Sequence, residues 1–277
     1  MPEGDTVWRT ARRLDQALSG RSLTTSDFRV PSWAEVDLVG QPVIETVSRG
    51  KHLLTRLEHV TLHTHLFMEG SWHIYRPTSP WRSPAFQARV ILANTDWTAV
   101  GFRLGVVDLV ERDQEHTVVG HLGPDLLGSD YSQDEVLGRL SAEPERPLGE
   151  ALLDQRNVAG IGNMYKAEVC FLFGVHPQTP VGSVGVLPEL VERARTLLLV
   201  NKDRAQQATT GDLRRGKNLW VYARAGQPCR RCGTRIQMET FQEAPVGPST
   251  HAGATKPEQD RSRSTYWCPT CQPAPLS

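Results

Sequence analysis

The sequence lacks a long hydrophobic run, an excess of charge of one sign, and more than a few cysteines. No stretch of its 277 residues approaches the ~20 consecutive apolar residues of a membrane-crossing helix, which excludes an integral membrane protein. Residues 1–5 are acidic where a secretory signal would be basic and apolar, so we expect a cytoplasmic protein. A hydrophobic content of 39% with 22% charged residues indicates a globular chain rather than a disordered one.

The formal net charge of zero results from two halves of opposite charge. Residues 1–150 carry 15 basic and 21 acidic side chains, a net of −6, and residues 151–277 carry 16 and 10, a net of +6. The basic excess is concentrated in residues 211–235, which hold seven Lys and Arg and one Asp. Such asymmetry indicates contact with nucleic acid or a membrane surface, and a solvated basic surface is the alternative.

Four of the five cysteines form two C-x2-C pairs, Cys229 with Cys232 and Cys268 with Cys271, separated by 35 residues. Each pair places two thiolates on one tight turn, and two such turns complete a tetrahedral zinc site. The absence of a secretory signal argues against disulfides, and a redox motif would be one pair in a βαβ setting. We therefore predict one structural zinc ion per chain. Cys170 lies in an apolar helical run and is expected in a core.

The periodicity of apolar residues predicts a β-rich first half and a helical second half. A helix capped by Asp5 or Thr6 is expected to end at Gly20, and strands are expected from about residue 23 to about residue 112. Further helices are predicted around residues 148–154, 163–173 and 187–200.

These elements predict a multi-domain α+β protein. Residues 1–140 would form an antiparallel β-sandwich with flanking helices, and residues 141–147, rich in Pro and Glu, the linker. A helical domain would follow over residues 148–225, and a zinc-ribbon β-hairpin over residues 226–277. Its stretch 243–260 is rich in Gly, Pro, Ser and Thr and is predicted to be a mobile loop.

Three separated segments carry a resemblance to one protein family: Met1–Gly4, Ser48–Lys51 and Leu153–Tyr165. Together with the cysteine pairs, they make the sequence resemble the formamidopyrimidine-DNA glycosylase/endonuclease VIII family of base-excision repair enzymes, and the endonuclease VIII branch more closely. The resemblance spans nearly the whole chain. It implies a bifunctional DNA glycosylase and apurinic/apyrimidinic lyase that acts as a monomer on double-stranded DNA containing a damaged base or an abasic site. It also implies a bacterial cytoplasmic enzyme that associates with the nucleoid while acting.

The resemblance assigns the catalytic roles to Pro2, Glu3 and Lys51. An α-amine has a pKa of about 8, against about 10.4 for lysine, so Pro2 without its initiator Met would keep a neutral fraction that can attack the sugar C1′ and form a Schiff base. Glu3 would be the adjacent acid/base, and Lys51 would contact a phosphate beside the lesion. Thr6 stands where the family often has a further Glu, and its hydroxyl is expected to cap the helix. The alternative for Pro2 and Glu3 is an ordinary solvated terminus, and the alternative for Lys51 is an exposed turn lysine without a catalytic role.

The second half carries the expected grip on DNA. The glycine-rich turn before the helix predicted at 163–173 resembles that of a helix–two-turn–helix motif, in which Gly160 and Gly162 expose backbone N–H groups to a phosphate and Asn163 adds a side-chain donor. Arg263, on the returning strand of the zinc hairpin, would hold the phosphates that flank the lesion with its planar guanidinium, and Arg261 competes for that role.

The resemblance also assigns a residue that fills the void left by a flipped base. Met68 matches the intercalating position, and the alternative is a core or edge-strand Met. The companion Arg and Phe of the formamidopyrimidine branch have no clear match, because the nearest segment, with Phe102 and Arg103, lacks that pattern. The short stretch before residues 219–224 leaves little room for the loop that covers an oxidised purine.

These two differences from the formamidopyrimidine branch favour oxidised pyrimidines as substrates. The resemblance implies that the damaged base is flipped out and removed, and that the strand is then cut by β,δ-elimination. The alternatives are an oxidised-purine glycosylase for 8-oxoguanine and formamidopyrimidine, and a non-catalytic zinc-ribbon protein that binds damaged DNA.

Overall fold

The computed structural model describes residues 2–242 and 262–275, and the stretch 243–260 predicted to be a mobile loop lies outside the described residues. The described residues form two compact units, 2–121 and 122–242 with 262–275. In these ranges no helix has both the length and the apolar character that a bilayer crossing requires.

The first unit is built mainly of antiparallel strands. Its helices are α1 (Gly4–Leu18) and α2 (His116–Val119), and single 3-10 turns lie at Pro31–Trp33, Ala85–Gln87 and Arg112–Gln114. Its strands are β1 (Arg21–Ser22), β2 (Thr25–Phe28), β3 (Pro42–Val43), β4 (Glu45–Arg49), β5 (His52–Arg56), β6 (Val60–His65), β7 (Ser71–Tyr75), β8 (Ala88–Ala93), β9 (Thr98–Phe102) and β10 (Val106–Glu111).

Eight of these strands form a β-sandwich, as predicted. One sheet has the order β10-β6-β5-β4 and the other the order β2-β8-β9-β7, with every neighbouring pair antiparallel. Alternate residues of both sheets are buried in one hydrophobic core. Leu53 and Leu62 belong to one sheet, and Val90 and Ala99 belong to the other. Helix α1 closes this core with its apolar face, which includes Leu14.

The N-cap of helix α1 lies two to three residues before the predicted one. Glu3 occupies the N-cap position in an extended conformation, and the first helical residue is Gly4. Asp5 and Thr6 therefore lie inside the first turn, where an Asp5 carboxylate oxygen accepts the N–H of Thr6 at 2.7 Å. The expected cap by the Thr6 hydroxyl is thus wrong, because a residue inside the helix cannot cap its N-terminus. The helix ends at Leu18, before Gly20.

The second unit is helical and carries the cysteine-bearing hairpin. Its helices are α3 (Gln133–Ser141), α4 (Leu148–Leu153), α5 (Asn163–Leu172) and α6 (Leu187–Asn201), with a 3-10 turn at Val181–Ser183. Its strands β11 (Gln237–Gln242) and β12 (Ser262–Trp267) pair antiparallel. The predicted helices correspond to α4, α5 and α6, whereas α3 was not predicted.

Helix α3 also explains why the units divide earlier than the predicted linker at 141–147. Val136 and Leu140 of α3 are buried in the same core as Leu152 of α4 and Leu190 of α6. The chain from Leu122 onward therefore belongs to the helical unit. Pro and Glu residues at 141–147 mark a helix-to-helix connection inside that unit rather than a boundary between units.

Candidate active site and metal centre

The N-terminal residues are packed rather than solvated. The side chain of Glu3 is fully buried, and Pro2 is half-buried. The carbonyl of Glu3 accepts the N–H of Val7 at 3.0 Å, so the first turn of α1 fixes its backbone. A carboxylate at this position also interacts favourably with the N-terminal end of the helix. The structure therefore gives Pro2 and Glu3 a fixed position in the first unit.

Lys51 lies at the tip of the β4–β5 hairpin. Arg49 pairs with His52 across the ladder, so Gly50 and Lys51 form a two-residue turn. Gly50 has a φ of +57°, which glycine adopts without strain, and this turn agrees with the prediction from Ser48–Lys51. Burial and the nearby Lys51 ammonium lower the pKa of His65 to about 3. His65 is therefore neutral at physiological pH.

A histidine array beside Lys51 was not predicted from the sequence. His52 and His65 are directly opposed in the ladder of β5 and β6, and His63 lies two residues from His65 on the same face. The Nδ1 atom of His52 is 2.7 Å from Nε2 of His63, so the two rings share a hydrogen. The ring of His121 lies 6.1 Å from that of His52. The His-Thr-His alternation at 63–65 was the available signal, because alternate strand residues share a face.

Met68 occupies an exposed turn between β6 and β7. Its side chain is 56% exposed, which excludes the core alternative, and it lies in neither strand. Phe67 has a φ of +48°, and its N–H donates to Nδ1 of His65 at 3.0 Å. A second bond, from the N–H of Gly70 to the carbonyl of Leu66 at 2.8 Å, closes the turn. The turn thus presents Met68 to solvent on a fixed backbone.

The two neighbouring residues considered as companions of Met68 have different environments. Phe102 is 2% exposed and packs edge-on against the rings of His73 and Trp81, so it is a core residue. Arg103 follows in a left-handed conformation, with a φ of +47°, and its guanidinium lies 3.5 Å from the carboxylate of Glu69. Only Arg103 is therefore placed to meet a ligand.

The turn between α4 and α5 differs in part from the expectation. Gly160 has a φ of +103°, which requires glycine, but its N–H donates to the side-chain oxygen of Gln155 at 3.1 Å. That N–H is therefore used inside the turn and is not offered to a phosphate. Gly162 is the N-cap of α5, with a φ of −124° that other residues also adopt. The candidate anion site is thus the first turn of α5, beginning at Asn163.

Helix α5 is fastened to strand β12 by two side chains. The Nδ2 atom of Asn163 donates to the carbonyl of Ser264 at 2.7 Å, and Nζ of Lys166 donates to the Thr265 hydroxyl at 2.7 Å. Arg263 directly precedes Ser264 in that strand and pairs with Phe241 in the hairpin ladder. The structure thus joins the predicted residues of the α4–α5 turn to the strand that carries Arg263. Arg261 lies outside the described residues.

Glu168 is a structural anchor that sequence reasoning missed. Its side chain is fully buried, and its carboxylate accepts the N–H groups of Trp220, Val221 and Tyr222, each at 2.8 Å. The Thr209 hydroxyl donates a further, short hydrogen bond. Burial raises the pKa of Glu168, and these four donors oppose that rise. The available signal was a charged residue in the apolar helix 163–173, since such a residue requires partners when buried.

The four paired cysteines converge at one point of the second unit. Their Sγ atoms all lie within 4.8 Å of one another. Two of the separations are 4.0 Å, between Cys229 and Cys271, and 3.4 Å, between Cys232 and Cys268. A zinc ion about 2.3 Å from four sulfurs in a tetrahedron would separate them by about 3.8 Å. The donor set and its size therefore fit a metal ion of this kind.

Hydrogen bonds shape the first of the two loops that hold the thiols. In the first, Gly233 has a φ of +80°, and its N–H donates to the carbonyl of Cys229 at 2.9 Å. Hydrogen bonds from the side chain and backbone of Thr234 lower the pKa of the Cys232 thiol to about 6. Burial and the neighbouring thiols raise the pKa of Cys271 to about 12. A cation is the partner that allows all four to ionise.

The fifth cysteine lies in a core, as predicted. Cys170 on α5 is fully buried in the main core of the second unit, and burial raises the pKa of its thiol to about 12. It is therefore neutral and is not a ligand of the metal centre.

Two family models match consecutive parts of the chain. Residues 1–123 match the formamidopyrimidine-DNA glycosylase N-terminal domain, and residues 122–191 match the formamidopyrimidine-DNA glycosylase H2TH domain. The division between these matches agrees with the division between the two structural units.

Curated relatives match over nearly the full length. The chain is 52% identical to a probable endonuclease 8 2 of Streptomyces coelicolor, covering 99% of this chain and 95% of that protein. It is 46% identical to the DNA-(apurinic or apyrimidinic site) lyase Nei2 of Mycolicibacterium smegmatis, covering 99% of this chain and 100% of that protein.

Solved structures share the fold. A Lactococcus lactis formamidopyrimidine-DNA glycosylase bound to DNA with an abasic site has a TM-score of 0.75 at 22% identity, covering 99% of this chain and 100% of that chain. A MutM complex with DNA containing carbocyclic 8-oxo-G gives the same TM-score, identity and coverage.

Proposed function

This chain belongs to the formamidopyrimidine-DNA glycosylase/endonuclease VIII family, and we propose that it removes oxidised pyrimidines from DNA with Pro2 as nucleophile. It is a bifunctional DNA glycosylase and apurinic/apyrimidinic lyase of base-excision repair in the endonuclease VIII branch. The observation that carries the residue assignment is the burial of Glu3 at the N-cap of α1, directly after Pro2. In an ordinary solvated terminus this carboxylate would stay in water, because burying a charged group costs free energy.

The proposed reaction begins at the nitrogen of Pro2. With the initiator Met removed, this neutral secondary amine attacks C1′ of the damaged nucleotide, the C1′–base bond breaks, and the base leaves with a proton. Glu3 protonates the ring oxygen of the sugar, so the ring opens and an iminium forms between Pro2 and C1′. The Glu3 carboxylate, having given up its proton, takes one from C2′ and the 3′ phosphate leaves, and loss of a proton from C4′ then expels the 5′ phosphate. A one-nucleotide gap with phosphate ends remains, and water releases the enzyme.

The remaining assignments concern the grip on damaged DNA. Lys51, on its two-residue turn, would contact a phosphate beside the lesion, since a flexible ammonium suits such a contact. Met68, held out on its turn, would fill the void of the flipped nucleotide. Asn163, at the start of α5, would support a further phosphate, although one of its amide hydrogens already binds Ser264. Arg263 would hold the phosphates that flank the lesion.

The four-cysteine centre would hold one zinc ion per chain in a purely structural role. All four positions of a tetrahedral ion would be taken by Cys229, Cys232, Cys268 and Cys271, so no position would be open for substrate or water. The ion would keep the hairpin in shape and thereby keep β12, with Arg263, against α5.

Oxidised pyrimidines are the favoured substrates for two reasons. The chain between α6 and residue 219 is short for a loop that covers a purine, and Phe102 is buried and cannot serve as the companion wedge of the formamidopyrimidine branch. The curated relatives named above are a probable endonuclease 8 and an abasic-site lyase. We expect the enzyme to act as a monomer, at the nucleoid in the bacterial cytoplasm.

The lesion preference is tested by side-by-side single-turnover rates on duplexes with dihydrouracil and with 8-oxoguanine. The proposal predicts faster excision of dihydrouracil, and faster excision of 8-oxoguanine would establish the oxidised-purine alternative.

The conservative variant Glu3→Gln distinguishes an enzyme from a non-catalytic binding protein, because in an enzyme it should lose cleavage while still binding abasic DNA. Unchanged cleavage would overturn the assigned acid/base role.

A further inference from the structure

Phe86 is the most exposed large hydrophobic side chain among the described residues. It is 78% exposed, against 56% for Met68, and it has no role in the reaction proposed above. It lies in the 3-10 turn Ala85–Gln87 that leads into β8. A single exposed apolar side chain is common on protein surfaces, so its surroundings decide whether it has a role.

The sheet register places Phe86 at the same end of the sandwich as Met68. Ser71 at the start of β7 and Ala88 at the start of β8 both pair with Phe102 at the end of β9. The chain segments just beyond these three residues therefore leave the sheet side by side. They are the turn of Met68, the turn of Arg103 and the 3-10 turn of Phe86.

Arg103 joins the three segments. Its N–H donates to the carbonyl of Gln87 at 2.9 Å, and its guanidinium lies 3.5 Å from the carboxylate of Glu69. Arg103 and Phe67 are two of the three non-glycine residues with positive φ in the described ranges. Such conformations concentrate at sites where the backbone must present particular side chains.

The backbone under Phe86 is held firmly, and the groups that hold it are cationic. A guanidinium nitrogen of Arg29 donates to the carbonyl of Ala85 at 3.2 Å, and one of Arg89 donates to the carbonyl of Phe86 itself at 3.1 Å. The segment 77–89 contains two Arg and no acidic residue, and Arg29 also pairs with the carboxylate of Asp27 at 2.9 Å. An exposed aromatic ring that lies on a fixed backbone near arginines is typical of the surfaces on which proteins stack nucleic-acid bases.

We propose that Phe86 stacks on the base that faces the lesion, which loses its partner when the damaged nucleotide is flipped out. The proposal rests on the proposed function, because it needs DNA bound with Met68 at the void. The positive charge around Phe86 favours DNA over an apolar protein partner, and its position beside the Met68 turn favours a base next to the void. Stacking on a π-face accepts any base, so Phe86 supports binding without selecting the opposite base.

The test compares Phe86→Ala with wild type on two duplexes that contain tetrahydrofuran, an abasic analogue without a cleavable C1′ substituent. In one duplex adenine faces the analogue, and in the other a second tetrahydrofuran does. We expect about a tenfold loss of affinity for the first duplex and no change for the second. Phe86→Tyr should bind both like wild type. Val39→Ala, which changes another exposed side chain of the same unit, is the matched control.

A direct readout places 2-aminopurine opposite the analogue. Stacking should quench its fluorescence in the wild-type complex, and Phe86→Leu, which keeps an apolar side chain without a ring, should relieve the quenching. Equal losses on both duplexes, or no loss on either, would overturn the proposal. Neither DNA is cleaved, so failure of the lyase assignment would appear separately, as absent cleavage of a natural abasic site by wild-type protein.

Discussion

Removing the carboxylate of Glu168 tests how the basic segment of the second unit is held. In Glu168→Ala, the N–H groups of Trp220, Val221 and Tyr222 lose their common acceptor, and so does the Thr209 hydroxyl. Val221 is fully buried, so water cannot readily replace the lost partner there. In Glu168→Gln, one side-chain oxygen remains in place.

The expected cost follows from the number of donors left without an acceptor. An unsatisfied buried donor costs roughly 1–3 kcal/mol, and four donors lose their acceptor in the alanine variant. Removing a buried carboxylate also relieves its own desolvation, which offsets part of this cost. We therefore expect a loss of about 3–5 kcal/mol for Glu168→Ala. The glutamine oxygen can still accept from Val221 and Tyr222, so Glu168→Gln should lose about 1–2 kcal/mol.

Hydrogen exchange measured by mass spectrometry reports this loss of stability at residues 220–222 themselves. The amides of residues 220–222 should exchange about tenfold faster in Glu168→Gln and more than about a hundredfold faster in Glu168→Ala, because about 1.4 kcal/mol corresponds to a factor of ten. Glu192→Gln, on the exposed face of α6, is the matched control and should change little. Exchange at 220–222 within about twofold of wild type in the alanine variant would refute the anchoring role.

Three further predictions concern the other sites. His65, with a folded-state pKa of about 3 against 6.5, takes up a proton mainly in the unfolded state, so its contribution to stability falls as pH drops below 6.5. Between about pH 7.5 and about pH 5, denaturant unfolding of wild type should show about 2 kcal/mol of destabilisation that His65→Gln lacks, and equal pH slopes would contradict this. Chelation should release one zinc per chain and abolish DNA binding, while Cys170→Ala should retain the ion by metal analysis. Glu3→Gln should slow single-turnover strand cleavage by about 10²–10⁴-fold with little change in DNA affinity, and a loss of affinity instead would assign Glu3 to binding.

The sequence predicted most of the first unit because its signals are local. Apolar residues recur along α1 at helical spacing, and the strands alternate along the sandwich. The start of α1 was misplaced because the capping residue is Glu3, which is not among the preferred N-cap residues. The missed helix α3 buries only Val136 and Leu140 fully, so its periodic signal is weak.

Contacts between distant residues were not predictable from spacing alone. The two cysteine pairs did predict one metal centre, because each pair is itself a local motif. In contrast, the hydrogen bond from Lys166 to Thr265 joins residues on separate elements of the second unit. The same holds for the cage around Glu168, whose backbone donors carry no sequence signature.

Covalent trapping by borohydride on DNA with an abasic site tests the central claim most directly, since reduction fixes the iminium between Pro2 and C1′ as a stable amine. The proposal predicts one covalent protein–DNA adduct, with the DNA remnant on the N-terminal peptide by mass spectrometry. A protein extended at its N-terminus, in which the Pro2 nitrogen is an amide, should bind the DNA and give no adduct. Absence of an adduct from mature protein that binds this DNA, or an adduct on any residue other than Pro2, would contradict the assignment.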